Sequence, residues 1–123
     1  MQIRAIMTEA PTCVSPGTGV VEGAELMRDH DVGCLPVCDG DRLVGILTDR
    51  DIVLRHVAAR RVAETVDAIM TPFPYCVGPD DPIERARALM VEHGVRRLPV
   101  CVGRDLIGIV SASDLARKAV VEA

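Results

Sequence analysis

The sequence predicts an α/β protein built from two β-α-β-β-α repeats that form two facing half-domains. Three observations carry this. Residues 6–53 align without a gap on residues 69–116, and twenty of the 48 aligned pairs are identical. The period of 63 residues occurs only twice, which suits two facing half-domains and not a solenoid. Within each copy, helical spacing of apolar residues alternates with short β-rich runs punctuated by Gly and Pro. The boundary falls in the polar stretch 59–65, giving repeats at 1–62 and 63–123.

Each repeat opens with a short apolar turn, Ile3–Met7 and Val66–Met70, closing on Ile-Met-Thr in both copies. A Pro-rich segment follows, with a brief strand expected at Cys13-Val14 and Cys76-Val77. Next comes an amphipathic helix. Val20, Ala24 and Met27 share one face in the first copy, and Ile83, Ala86 and Met90 in the second. A strand follows at Cys34–Cys38 and Arg97–Cys101. Pro36 and Pro99 lie inside it and remove a ladder donor, so the neighbouring strand must be short or offset. Asp39-Gly40 is a strong hairpin signal and Val102-Gly103 a weaker copy. The returning strands, Arg42–Leu47 and Asp105–Val110, run into a final helix.

The junction of that strand and helix reads Gly45-Ile46-Leu47-Thr48-Asp49-Arg50-Asp51 and Gly108-Ile109-Val110-Ser111-Ala112-Ser113-Asp114. Glycine within a strand marks a place where something approaches the backbone closely. The hydroxyl residue opens a helix whose N–H groups suit a phosphate. The Asp one turn on can accept from sugar hydroxyls. Hydroxyl-x-x-acid is also the pattern of a capping box that binds nothing. Both readings stand at this stage, since a hydroxyl can cap an empty site and turn to a phosphate in a full one.

Composition narrows the function. Phe73 and Tyr75 are the only aromatics, so the core is aliphatic, and single-strand nucleic-acid platforms, which stack bases on aromatic rings, are disfavoured. A net charge of −4 also disfavours a phosphate-backbone binder. No apolar run reaches the roughly 18 residues of a membrane helix, and Met1-Gln2-Ile3-Arg4 lacks a signal-peptide core; a cytoplasmic protein is expected. There is no Ser/His/Asp set, no framed carboxylate pair and no Cys-x-x-Cys, so neither catalysis nor a metal is expected. His30 and His93 close the amphipathic helices, where a cation suits the dipole, and His56 reads as a surface residue.

The five cysteines follow the repeat: Cys13 maps onto Cys76 and Cys38 onto Cys101, leaving Cys34 without a counterpart. Cys13 and Cys38 lie on strands expected to be parallel neighbours, within disulfide reach. Each pair is therefore expected to be close, with Cys13–Cys38 the better candidate for oxidation.

A tandem repeat with Ile-Met-Thr at its head, Leu-Pro-Val at 35–37 and 98–100, and Gly-h-h-[Ser/Thr]-x-x-Asp (h, aliphatic) at its end resembles a pair of CBS (cystathionine β-synthase) domains. Leu-Thr-Asp-Arg-Asp-Ile at 47–52 is similar to the stand-alone, hypoxic-response-type CBS proteins of bacteria. The resemblance implies a compact pair of repeats packed with pseudo-two-fold symmetry, acting as a non-catalytic regulatory module and needing no cofactor. It implies two clefts between the repeats for adenosine-containing ligands: AMP, ADP, ATP or S-adenosylmethionine. It also implies a homodimer, for which Val21, Leu26, Leu89 and Val91 are surplus apolar positions, and an effector protein that the sequence does not name. Carried onto this chain, one cleft uses Asp114 for the ribose and Ser111 for phosphate. Arg97 and Arg96 stand beside them, with Val14, Val32, Ile109 and Val110 around the adenine. The other uses Asp51 and Thr48 with Val77, Val95, Ile46 and Leu47. It has Gly33 and Cys34 in place of the arginines, with Arg50 as a partial substitute. A thiol-redox protein and a module with no ligand are the alternatives.

Overall fold

The computed structural model describes residues 1–62 and 64–122; Ala63, in the expected linker, and Ala123, at the end of the second repeat, lie outside the described residues. In chain order the elements are β1 (Thr8–Glu9), α1 (Val20–His30), β2 (Cys34–Asp39), β3 (Arg42–Thr48), α2 (Asp49–Asp51, continuing in π-helical form over Ile52–Val57), β4 (Thr71–Pro72), α3 (Ile83–His93), β5 (Arg97–Val102), β6 (Asp105–Ser111) and α4 (Ala112–Glu122). Single 3-10 turns at Ile3–Ala5 and Val66–Ala68 head the two repeats. The predicted mixed α/β architecture is what folds.

The chain forms two compact units, one of residues 12–74 and one of residues 1–11 with 75–123. Each unit thus takes its head from the other repeat. In the 12–74 unit, β3 pairs antiparallel with β2 on one side and with β4 on the other. In the second unit, β6 pairs in the same way with β5 and with β1. The heads exchange because each Ile-Met-Thr run packs on the strand of the unit it joins. A Cβ on Gly45 would lie 2.4 Å from Met70 Sδ, and one on Gly108 would lie 2.7 Å from Met7 Sδ. The close approach that the strand glycines announced is made by these methionines.

The expected strand at Cys13-Val14 is reduced to a single parallel bridge, Val14 to Val37, repeated as Val77 to Val100. Proline is the reason. Pro36 offers its carbonyl to the Val14 N–H (3.0 Å) but has no N–H to return, and the Val14 carbonyl is taken by Cys38 N–H (2.8 Å). Both hairpins turn at glycines with positive φ, Gly40 (63°) and Gly103 (62°).

Two cores result. One holds Val14, Val20, Met27, Leu35, Val37, Leu47, Val66 and Ile69; the other holds Ile3, Val77, Ile83, Ala86, Met90, Leu98, Val100, Val110 and Leu115. On α1 the buried small residue is Gly23 and not Ala24, which is half-buried. A Cβ on Gly23 would stand 3.2 Å from Leu47 Cδ2, so the helix packs closely on β3 at this position, where the second repeat buries Ala86. Leu26 and Leu89, expected to be surplus to the core, pack against their own unit's core. Val21 (66% exposed) and Val91 (85%) do stand in solvent.

Candidate functional site

Both strand-to-helix junctions fold into the same closed turn. In the second unit the Ser111 N–H donates to Asp114 Oδ2 (2.9 Å), and the Asp114 N–H donates to Ser111 Oγ (3.1 Å). In the 12–74 unit Thr48 and Asp51 make the same exchange at 2.9 and 3.1 Å. These are reciprocal capping boxes with Asp in the place of the usual Glu. The structural reading of the motif therefore holds in both copies. It leaves one carboxylate oxygen uncommitted to the backbone in each.

That second oxygen faces a guanidinium. Asp114 Oδ1 is hydrogen-bonded by Arg117, and Asp51 Oδ1 lies 3.8 Å from Arg55 Nε. Neither arginine was singled out from sequence, although Asp-x-x-Arg and Asp-x-x-x-Arg on a helix place the two side chains on one face. Asp114 is 8% exposed, the single buried charged residue among the described residues. A buried carboxylate needs a charge partner and full hydrogen bonding, and Arg117 with the Ser111 N–H supplies them.

The strands opposite each turn bring different groups to it. Arg97 stands in register with Ser111, and the Arg96 carbonyl accepts from Ala112 N–H at 2.8 Å. In the other unit Cys34 stands in register with Thr48, and the Gly33 carbonyl accepts from Asp49 N–H at 3.0 Å. Arg96 and Arg50 are exposed and Arg97 is half-buried. Of the expected adenine neighbours, Val14, Leu47, Val77 and Val110 are core residues, Val32, Ile46 and Ile109 are half-buried, and Val95 is 37% exposed. Asp114, Ser111, Arg96, Arg97, Ile109, Val110, Val77 and Val95 belong to the unit of residues 1–11 and 75–123. Asp51, Thr48, Ile46, Leu47, Val14 and Val32 belong to the other.

No disulfide is formed among the described residues. Cys13 and Cys38 are nevertheless hydrogen-bonded through their side chains, and burial together with Cys13 pushes the Cys38 thiol up to about 12. Cys13 is exposed and Cys38 buried. Cys101 N–H reaches the Val77 carbonyl (2.9 Å), as Cys38 reaches Val14, so the duplication reproduces the backbone adjacency beside Cys76.

His56 is not the surface residue the sequence suggested. Its side chain is 12% exposed and its Nδ1 lies 2.7 Å from Glu64 Oε1, with Arg61 on the other carboxylate oxygen at 3.2 Å. The π-helical turn carries His56 inward to the end of the linker, which a repeat alignment cannot show because His56 has no counterpart. Among the described residues no group of three or more His, Cys, Asp or Glu is placed to hold a metal ion, and no helix is long and apolar enough to cross a membrane.

The CBS domain model matches residues 3–57 and 66–120, and the chain belongs to the CBS domain family. It is similar to hypoxic response protein 1 of Mycobacterium tuberculosis, 42% identical over 117 residues, spanning 93% of this chain and 82% of that protein. A crystal structure of hypoxic response protein I with two coordinated zinc ions superposes with a TM-score of 0.88 at 40% identity, covering 95% of this chain and 98% of that one. CBSX2 in complex with AMP gives 0.87 at 31% identity, covering 97% and 96%. The CBS domain pair of protein MJ0100, in complex with 5-methylthioadenosine and S-adenosyl-L-methionine, gives 0.91 at 25% identity, covering 100% and 98%.

Proposed function

We propose that this chain is a non-catalytic sensor of adenosine-containing ligands, read out through a separate effector protein in the cytoplasm. The observation that carries the reading is Asp114. A carboxylate 8% exposed, held by one oxygen on the Ser111 N–H and by the other on Arg117, is pre-set to accept hydrogen bonds from a ribose diol. Ser111 Oγ, 2.9 Å from Ser113 Oγ, can turn from its cap towards a phosphate, and Arg97 and Arg96 supply positive charge from the neighbouring strand. The AMP complex of CBSX2 and the adenosyl complexes of the MJ0100 pair support the ligand class. The test is calorimetric titration of AMP into the wild-type chain and the Asp114→Ala and Asp51→Ala variants. Unaltered AMP binding in both variants would sink the reading.

The proposal includes a homodimer. A groove of about 310 Å³ lined by Arg87, Met90, Val91, Ala112, Leu115 and Ala116 lies on α3 and α4, and its lining is almost wholly apolar. Such a face suits burial against a symmetric copy.

A thiol-responsive role is the second reading, favoured by the hydrogen-bonded pair Cys13 and Cys38. Oxidation would join the two sulfurs and pass two electrons and two protons to a peroxide or a small-molecule disulfide. Peptide mapping without reductant after such treatment tests it, and loss of the free thiols without a Cys13–Cys38 bridge would overturn it.

A further inference from the structure

We infer that the two turns select adenosyl ligands of different 5′ charge, and that Asp49 is the residue that sets the preference of the 12–74 unit. The inference rests on the adenosyl-sensor reading above. The two turns are superposable in their hydrogen bonding, yet the groups at their mouths are exchanged in charge. Where one unit has the Arg96 carbonyl bonded to Ala112, the other has the Gly33 carbonyl bonded to Asp49. Arginine and alanine have become glycine and aspartate.

The Asp49 carboxylate occupies the space at Gly33. A Cβ there would lie 3.0 Å from Asp49 Oδ2, while Asp49 Oδ1 accepts from the Arg50 N–H at 2.8 Å. An anionic group thus fills the place from which, in the other unit, an arginine extends. Around Ser111 the local charges are Asp114 against Arg96, Arg97 and Arg117; around Thr48 they are Asp49 and Asp51 against Arg50 and Arg55. The whole units follow suit. Residues 12–74 hold ten acidic and six basic side chains, whereas residues 1–11 and 75–123 hold eight of each.

A phosphate is stabilised by guanidinium groups and repelled by carboxylates. The Ser111–Asp114 turn therefore takes an adenosine derivative with a 5′ phosphate. The Thr48–Asp51 turn takes one whose 5′ substituent is uncharged or cationic, such as a thioether or a sulfonium. One chain would then report the ratio of two classes of adenosine compound and not the level of one.

The experiment titrates AMP and 5′-methylthioadenosine into the full chain, its Asp114→Ala and Asp51→Ala variants, and the exchange variant Gly33→Arg/Asp49→Ala. The expected result is AMP binding lost in Asp114→Ala and kept in Asp51→Ala, with the thioether showing the reverse. The exchange variant gains a second AMP site, and the milder Asp49→Asn tightens AMP at that turn by about fivefold, an effect that salt reduces. Circular dichroism melts establish that each variant is folded. Equal AMP affinity at both turns of the wild type, or a folded exchange variant with unchanged AMP stoichiometry, overturns the inference while leaving the sensor reading intact. Failure of the wild type to bind either compound overturns both.

Discussion

Met70 Sδ stands 2.4 Å from the place a Cβ would occupy on Gly45, and Met7 Sδ stands 2.7 Å from the same place on Gly108. Each methionine belongs to the head of one repeat and packs on a strand of the other. The glycine is thus a receptor for the exchanged head. At Gly108 the Thr8 carbonyl oxygen also lies within 2.9 Å, whereas at Gly45 the three nearest atoms are all in the Met70 side chain. Gly108→Ala should destabilise by about 1–3 kcal/mol, and Gly45→Ala by less, because a flexible thioether moves more readily than backbone. Shortening Met70 to Ala should relieve Gly45→Ala, while Met7→Ala leaves Gly108→Ala impaired. Urea midpoints of the four single and two double variants test this ordering.

Unequal response to AMP is the second expectation. Each guanidinium–phosphate contact contributes roughly 1.5–3 kcal/mol, and Arg96 and Arg97 stand beside one turn only. Asp114→Ala should therefore lower total AMP binding far more than Asp51→Ala. Both variants also lose a capping box, so each should melt at a lower temperature, by about 1 kcal/mol of stability. Calorimetry and thermal melts on the same samples separate the two effects.

The pair His56 and Glu64 sets a pH dependence. The His56 hydrogen bond, followed by Arg61, holds the Glu64 carboxyl below its ordinary value of 4.5. A carboxylate depressed on folding contributes stability that is fully present above the unfolded value and lost as pH falls through the folded one. The stability difference between wild type and Glu64→Gln should be level above pH 4.5 and shrink below it. A difference that stays constant down to acid unfolding would contradict the assignment.

Thiol reactivity should divide Cys13 from Cys38. Cys38 is buried with its thiol pushed up to about 12, and the thiolate is the reactive form. Alkylation of the native protein should label Cys13 rapidly and Cys38 only after denaturation. If the two are oxidised to each other, the closed loop should raise stability by about 3 kcal/mol in the chain-entropy model. Mass-mapped labelling and melts with and without reductant measure both.

Light scattering should give twice the 13.2 kDa of one chain, and Val91→Asp should shift it towards the single-chain mass. Val91 is 85% exposed in the isolated chain, so a carboxylate there leaves the unit's own core untouched.

The sequence by itself determined the repeat, its amphipathic helices and hairpins, and the hydroxyl-x-x-Asp turns, but not the short strands Thr8–Glu9 and Thr71–Pro72. The former are local matters of spacing and backbone chemistry. Duplication printed that chemistry twice, so Thr48 and Ser111 could be paired by inspection. Only the tertiary structure decided which head packs on which strand, because both copies carry the same Ile-Met-Thr run and both strands the same glycine. It also decided that Gly23 and not Ala24 meets Leu47, since the distance between helix and strand has no signature in periodicity. Arg117, Arg55 and the inward His56 complete the account. Arg117 and Arg55 lie one helical turn from Asp114 and Asp51, a spacing the sequence does carry, whereas the inward turn of His56 onto Glu64 has no such signature.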